Sequence, residues 1–315
     1  MLKYLIILLD DSSVPFCHYS AKEKRKLIST ENLKKAVRFA MLENLNVQFV
    51  WPYYELSDEY RDIISSIDHS NIVPVSLTDD ADIIVAEPKD FNLCGEGATV
   101  VATIKLQDML EKPQLLFPIL KKVSRLNVVI TDPENFHDAD IEAYRNALTT
   151  LSERILEEFK SGHNIQVNIL TDRMALTGMN NCNAGWESLT LAPDGRLYIC
   201  PAFYYAGDAS VGSFEKGIDI KGIDIKNPQL FRLDHAPICR KCDAWHCRRC
   251  VWLNKRCTLE VNIPGHEQCV MAHIERETTR RLSETIRKHY GRIQGEEIME
   301  LDYMDPFDKI INNES

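Results

Sequence analysis

Two C-x2-C pairs stand four residues apart in the run Cys239-x2-Cys242-x4-Cys247-x2-Cys250, and no other feature constrains the chain as strongly. Adjacent pairs of this kind are rare by chance, and their spacing suits thiolate coordination. Eight of the ten cysteines, from Cys182 to Cys269, fall within fewer than ninety residues, whereas the first 181 residues hold only Cys17 and Cys94. A chain of 315 residues can bury a core without disulfides. The longest early apolar run, residues 4–9, is far short of the roughly 20 residues of a membrane span, and Asp10 and Asp11 follow it at once. No small-residue cleavage site follows either, so the expected setting is cytoplasmic and reducing, where clustered cysteines bind metal rather than one another.

Four residues between knuckles is short for one tetrahedral zinc, whose paired knuckles stand about 12 or more residues apart. Closely spaced runs in ferredoxins send one cysteine to a different cluster. Eight thiols match two four-cysteine sites, which favours a pair of [4Fe-4S] clusters, with structural zinc as the alternative. Charge agrees: Arg240, Lys241, Arg248, Arg249, Lys255 and Arg256 surround the run with only Asp243 opposing them, as an anionic cluster requires. These basic residues are not read as a nucleic-acid patch, because the whole chain carries a formal charge of -10. Part of that charge sits in residues 296–315, read as a solvated acidic tail.

The first 170 residues alternate apolar runs with amphipathic stretches, the pattern of an α/β domain. Strands are expected over residues 2–9, 47–50, 72–77, 83–86, 98–104, 126–130 and 165–170. Ser29 is placed to cap a helix with Leu33, Ala36, Val37, Ala40 and Met41 on one face, and a second helix is expected over residues 138–160. Beyond a boundary near residues 171–181, two strand-like runs flank Pro193-Asp194-Gly195. If Asp194 and Gly195 form a two-residue turn, Cys200 lies opposite Leu189. A short direct repeat at residues 217–221 and 222–226 reads as an exposed loop, and a helix is expected over residues 270–290.

The order Cys182-x12-Gly195-x4-Cys200, a gap, the four-cysteine run and an isolated Cys269 resembles the SPASM domain, the auxiliary-cluster module of radical S-adenosylmethionine (SAM) peptide maturases. The family's usual central run is C-x2-C-x5-C-x3-C, and the last two gaps are one residue shorter here. The resemblance implies that Cys239, Cys242, Cys247 and Cys269 hold one cluster, and that Cys182, Cys200 and Cys250 hold the other. The family's further cysteine upstream of the hairpin is missing, leaving Cys257 or an open coordination site to complete the second cluster. His235, His246 and His266 are nearby donors but read as structural or surface histidines.

The segments MLKYLIILLDDSSVPFCHY, ENLKKAVRFAMLENLNVQFVWP and CRKCDAWHCRRCVWLNKR are together similar to the CXXX-repeat peptide maturase group, modifiers of ribosomally made peptides (RiPPs). The fold so implied is a partial or degenerate radical SAM-like (β/α) barrel over residues 1–175, a SPASM-like domain over 176–275, and a helix end with the acidic tail over 276–315. The loop that would hold the SAM-cleaving C-x3-C-x2-C motif carries Cys17 alone, and Val50-Trp51-Pro52-Tyr53-Tyr54-Glu55 stands where the family has Gly-Gly-Glu-Pro. One cysteine cannot supply three ligands, so standard SAM cleavage is not expected of this chain by itself. The resemblance implies a precursor peptide with cysteine repeats as substrate or partner. Three functions follow: an iron-sulfur peptide maturase with an unconventional site near Cys17, a peptide-binding accessory of a separate catalytic or redox protein, or a structural zinc protein. Cys94 reads as a buried thiol, and Asp132-Pro133-Glu134 as an ordinary helix start.

Overall fold

The computed structural model describes residues 2–22, 25–79, 81–214, 222–290 and 297–300. The first copy of the short repeat and most of the acidic tail lie outside the described residues.

Among the described residues, ten strands form one sheet: β1 (Tyr4–Leu8), β2 (Asn46–Val50), β3 (His69–Pro74), β4 (Ile83–Ala86), β5 (Thr99–Ile104), β6 (Arg125–Ile130), β7 (Gln166–Val167), β8 (Ser188–Leu191), β9 (Arg196–Tyr198) and β10 (Gly212–Ser213). Their spatial order is β10-β9-β8-β1-β2-β3-β4-β5-β6-β7. Pairing is parallel from β8 through β1 to β7 and antiparallel at β8-β9-β10. The sheet therefore runs unbroken across residues 171–181, since β8 adds directly to the free side of β1, with Leu5 beside Leu189.

Parallel strands are buried on both faces, and the alternation of side chains sorts them. Leu5, Ile7, Val47, Phe49, Val73, Ile84, Val100, Ala102, Leu126 and Val128 face a large apolar core, which takes in helices α1 (Thr30–Glu43), α2 (Asp58–Ile64), α3 (Leu106–Glu111), α4 (Phe117–Leu120) and α5 (Ile141–Lys160). The alternate residues Leu8, Val50, Ile72, Val85 and Val101 face a second, smaller cluster. That cluster is completed by Val14 and Phe16 from the loop after β1 and by Tyr198, Tyr204 and Tyr205. The helices thus cover one face, and the loop bearing Cys17 lies across the other.

Helix α1 begins as expected, with Ser29 Oγ accepting the backbone N–H of Asn32 at 3.2 Å, and ends on Asn44 in the left-handed region. The strand expected over residues 165–170 shrinks to Gln166–Val167, because Thr171 Oγ1 accepts the Val167 N–H and the Thr171 N–H returns to the Val167 carbonyl. The chain curls there into α6 (Asp172–Ala175). Asn168 still extends the ladder with its side chain, Oδ1 accepting the Val128 N–H at 2.8 Å and Nδ2 donating to the Val128 carbonyl at 2.9 Å.

The hairpin register differs from expectation. Thr190 pairs with Tyr198 and Leu191 with Leu197, so Pro193, Asp194 and Gly195 form a three-residue turn. Gly195 takes φ +79° and Asp194 Oδ1 accepts the Arg196 N–H, which is the three-residue alternative to a two-residue turn. Strand β9 ends at Tyr198, and Cys200 is not paired opposite Leu189 but opens helix α7 (Pro201–Tyr205).

Candidate metal centre

Four segments carry the cysteines from Cys182 to Cys269. Cys200 precedes α7, whose first residue is proline, a good helix opener that needs no N–H partner. Cys250 stands at the N-terminal cap of α8 (Val251–Thr258). Two backbone bonds dock the segment before β8 onto the cysteine run, Asn180 N–H to the Trp245 carbonyl at 2.8 Å and Cys182 N–H to the Arg248 carbonyl at 2.9 Å. Cys269 lies on the long helix α9 (His266–Tyr290), which packs across α5 and α6.

The thiols fall into two groups by the charges each would feel. In the first, Cys17 lies in electrostatic range of Cys182 and Cys250, and Cys200 in range of Cys250, Cys182 and Cys17. In the second, Cys247 is in range of Cys239 and Cys269, and Cys269 in range of Cys239 and Cys242. Burial raises the thiol of Cys239 to about 11 and those of Cys250 and Cys269 to about 12, and pushes Cys17, Cys200 and Cys247 up as well. These six are neutral thiols in the free protein, so any metal that binds them must release protons. All ten cysteines are unbridged.

Among the described residues, no three His, Cys, Asp or Glu side chains gather closely enough to hold a single metal ion. A cube of iron and sulfide, in contrast, carries its thiolates at its corners and spans a wider cavity. The surroundings fit such an anion. Arg249 is 1% exposed, and its Nε and Nη2 donate to neutral acceptors, the Asn181 side-chain oxygen and the Phe231 carbonyl. Its Nη1 is buried without a partner. Burial pushes its pKa down, and the thiolates of Cys239, Cys182 and Cys247, drawn from both groups, would hold it charged. A guanidinium buried without a carboxylate costs several kcal/mol unless an anion stands near, and thiolates on a bound cluster would supply one here.

The remaining polar groups brace the module. Asp243 accepts from Arg276 through both oxygens at 2.6 Å, and Arg173 donates to its carbonyl at 2.6 Å. Arg173 also lies flat against Trp245, its guanidinium carbon 3.8 Å from the ring centre. Glu275 of α9 accepts from Tyr144 of α5 at 2.5 Å and pairs with His246 at 3.0 Å. His246 is therefore held by a carboxylate. His273 approaches Cys242 Sγ at 3.6 Å.

The loop that carries Cys17 is fixed by carboxylates. Asp10 is fully buried and accepts from Ser12 N–H and Oγ and from Tyr54 Oη at 3.0 Å; Asp11 accepts from Tyr204 Oη. Tyr19 stacks on Tyr205, with ring centres 5.0 Å apart, and His18 Nδ1 meets the Ile130 carbonyl at 2.9 Å. These contacts hold the loop in which Cys17 lies within electrostatic range of Cys182 and Cys250. Cys257 is exposed and packs beside Gly265 at the start of α9, with Glu267 and Glu134 as its acidic neighbours; Cys250 feels its charge. Cys94 is buried in the large apolar core. His266 stands 3.7 Å from Asp138 at the surface, and the His235 carbonyl accepts from Asn262.

Spacing arguments group cysteines within residues 182–269 and give no reason to bring Cys17 to them. The only hint is arithmetic, one thiol too few after the resemblance is applied and one thiol in the preceding domain with no assigned partner.

No family model matches the chain, and no curated protein matches it. Solved structures do. Histidine-tagged anSMEcpe with bound AdoMet superposes with TM-score 0.64 over 91% of this chain and 96% of that one at 13% identity. Native anSMEcpe with bound AdoMet and Cp18Cys peptide gives 0.61 over 90% and 99%, also at 13% identity, and its complex with Kp18Cys peptide gives 0.61 over the same shares at 12%. Across nearly its whole length, the chain has an α/β radical SAM-like fold.

Proposed function

We propose that this chain is an iron-sulfur protein of a peptide-modification system, carrying two [4Fe-4S] clusters in a SPASM-like module and acting on a precursor peptide with cysteine repeats. The observation that supports the reading is Arg249, buried on neutral acceptors with no carboxylate and in electrostatic range of Cys239, Cys182 and Cys247. Cys239, Cys242, Cys247 and Cys269 would hold one cluster, and Cys182, Cys200 and Cys250 three corners of the other. When bound, such clusters supply one-electron transfer. The protein's part is to shield them, with Arg249 and Arg248 offsetting their charge and the pairs at Asp243 and Glu275 fixing the loops. The likeness to a fold solved with AdoMet and peptide supports a peptide as the substrate class.

The accessory reading has its own support. The loop after β1 offers one thiol, and its neighbours Asp10, Asp11, Val14 and Phe16 are committed to protein contacts. A three-thiolate, SAM-binding cluster has no donors there, so the chain would hold the peptide or relay electrons for a separate radical-generating protein. Structural zinc is disfavoured by the spread of the thiols among the described residues.

The test is anaerobic purification with iron, sulfide and zinc analysis, followed by binding and turnover assays with a cysteine-repeat peptide. About eight irons per chain and peptide binding are expected. Zinc without sulfide would overturn the cluster reading. Deoxyadenosine released from SAM by this chain alone would overturn the accessory reading, and a peptide changed in mass only after a second protein is added would support it.

A further inference from the structure

We propose that Cys17, from the loop after β1, is the fourth ligand of the cluster held by Cys182, Cys200 and Cys250, so that the site is built from both halves of the chain. This rests on the two-cluster reading above and goes beyond it by completing the ligand set with a residue from outside the module.

Four observations converge. The loop is bent back across the sheet face opposite the helices, with Val14 and Phe16 packed against Tyr198, Tyr204 and Tyr205. Tyr19 stacks on Tyr205, five residues after Cys200 on the helix that Cys200 opens. Cys182 is tied to Arg248 by a backbone bond two residues before Cys250, and Cys17 lies in range of Cys182, Arg248 and Cys250 together. Arg249, nine-tenths and more buried with Nη1 unpartnered, is in electrostatic range of Cys182 of the same set.

The other candidate for the corner, Cys257, is exposed and lies beside Glu267 and Glu134, carboxylates that oppose a thiolate on a negative cluster. Cys94 is excluded by its burial in the helix-covered core. Ligation by Cys17 also assigns the loop a purpose: its one thiol closes an auxiliary cluster and is no longer available to a SAM-binding one. A cluster with four protein thiolates has no open iron, which suits electron transfer rather than substrate coordination.

The experiment uses the full-length protein reconstituted anaerobically with iron and sulfide and reduced by one electron per cluster with dithionite, read by iron content and by electron paramagnetic resonance with and without added imidazole. An open iron binds imidazole and shifts its signal; a fully ligated cluster does not. The expected result is wild-type and Cys257→Ala proteins with about eight irons and signals insensitive to imidazole, and a Cys17→Ala protein in which one of the two signals becomes imidazole-sensitive or about half the iron is lost. An imidazole-sensitive wild type means an open site and overturns the proposal, as does a sensitive Cys257→Ala or an insensitive Cys17→Ala with full iron. If Cys17→Ala does not fold, the wild type and Cys257→Ala still decide, because insensitivity in both leaves Cys17 as the remaining thiol. Wild-type protein that takes up no iron would defeat the two-cluster reading itself, a separate outcome.

Discussion

The two sides of β1 are built on different physical terms. Toward β2 and beyond, strands and helices bury Leu, Ile, Val and Phe side chains in one continuous core, where each methylene removed from water contributes about 0.8 kcal/mol. Toward β8, the apolar cluster around Ala184, Leu189, Ile199, Phe203, Phe231 and Val251 is small, and much of the buried volume goes to Arg249, Arg276, Arg173, His246 and a set of thiols. An apolar core tolerates loss of any single contact, whereas a core of paired charges and metal ligands depends on each partner being present. The first region rests on apolar burial, to which Val270, Met271, Ile274, Leu282 and Ile286 of α9 also contribute, and the second on its pairs and, on our reading, its metal.

The strongest way to break this contrast is to withhold or chelate iron. Hydrogen exchange should then rise by orders of magnitude in residues 176–275 and remain low in β2 to β6; equal loosening of both halves would show that they are one cooperative unit. The next largest effect is expected from Asp243→Ala. Arg276 and Arg173 are 1% and 3% exposed in their side chains, and removing this carboxylate takes two charge-assisted bonds from Arg276 and one from Arg173. Because Asp243 itself is a quarter exposed, the loss should lie near the low end for such pairs, about 3 kcal/mol by urea denaturation. A change below the cost of an ordinary surface pair would mean that the guanidiniums find other acceptors. The smallest effect sharpens the boundary between the halves. Gly195→Ala places a Cβ 2.5 Å from Asn32 Nδ2 at φ +79°, which should cost about 1–2 kcal/mol, measured in the same way. A neutral result would show that the turn can relax away from α1.

Local chemistry is readable where it acts within a few residues. Ser29 caps its helix, the apolar alternation locates β1 to β6, and Pro193-Asp194-Gly195 marks the turn. The register of that turn is not readable, because two- and three-residue turns share the same Asp-Gly signal and the choice depends on what β9 packs against. Strand β7 is shorter than its pattern for a similar reason: alternation in residues 165–170 is real, but the Thr171 hydroxyl captures the backbone after two residues.

The sequence by itself determined that the module has eight thiols, that they are too closely spaced for one zinc knuckle pair, and that the loop after β1 has a single cysteine. Only the tertiary structure decided which distant segments lie side by side. That decision belongs to the parallel pairing of β1 with β8, which lays a loop from the start of the chain beside β9 and α7. Spacing carries information over a few residues, whereas proximity across the chain is set by which strand edge is left free to bond and which face is left to cover.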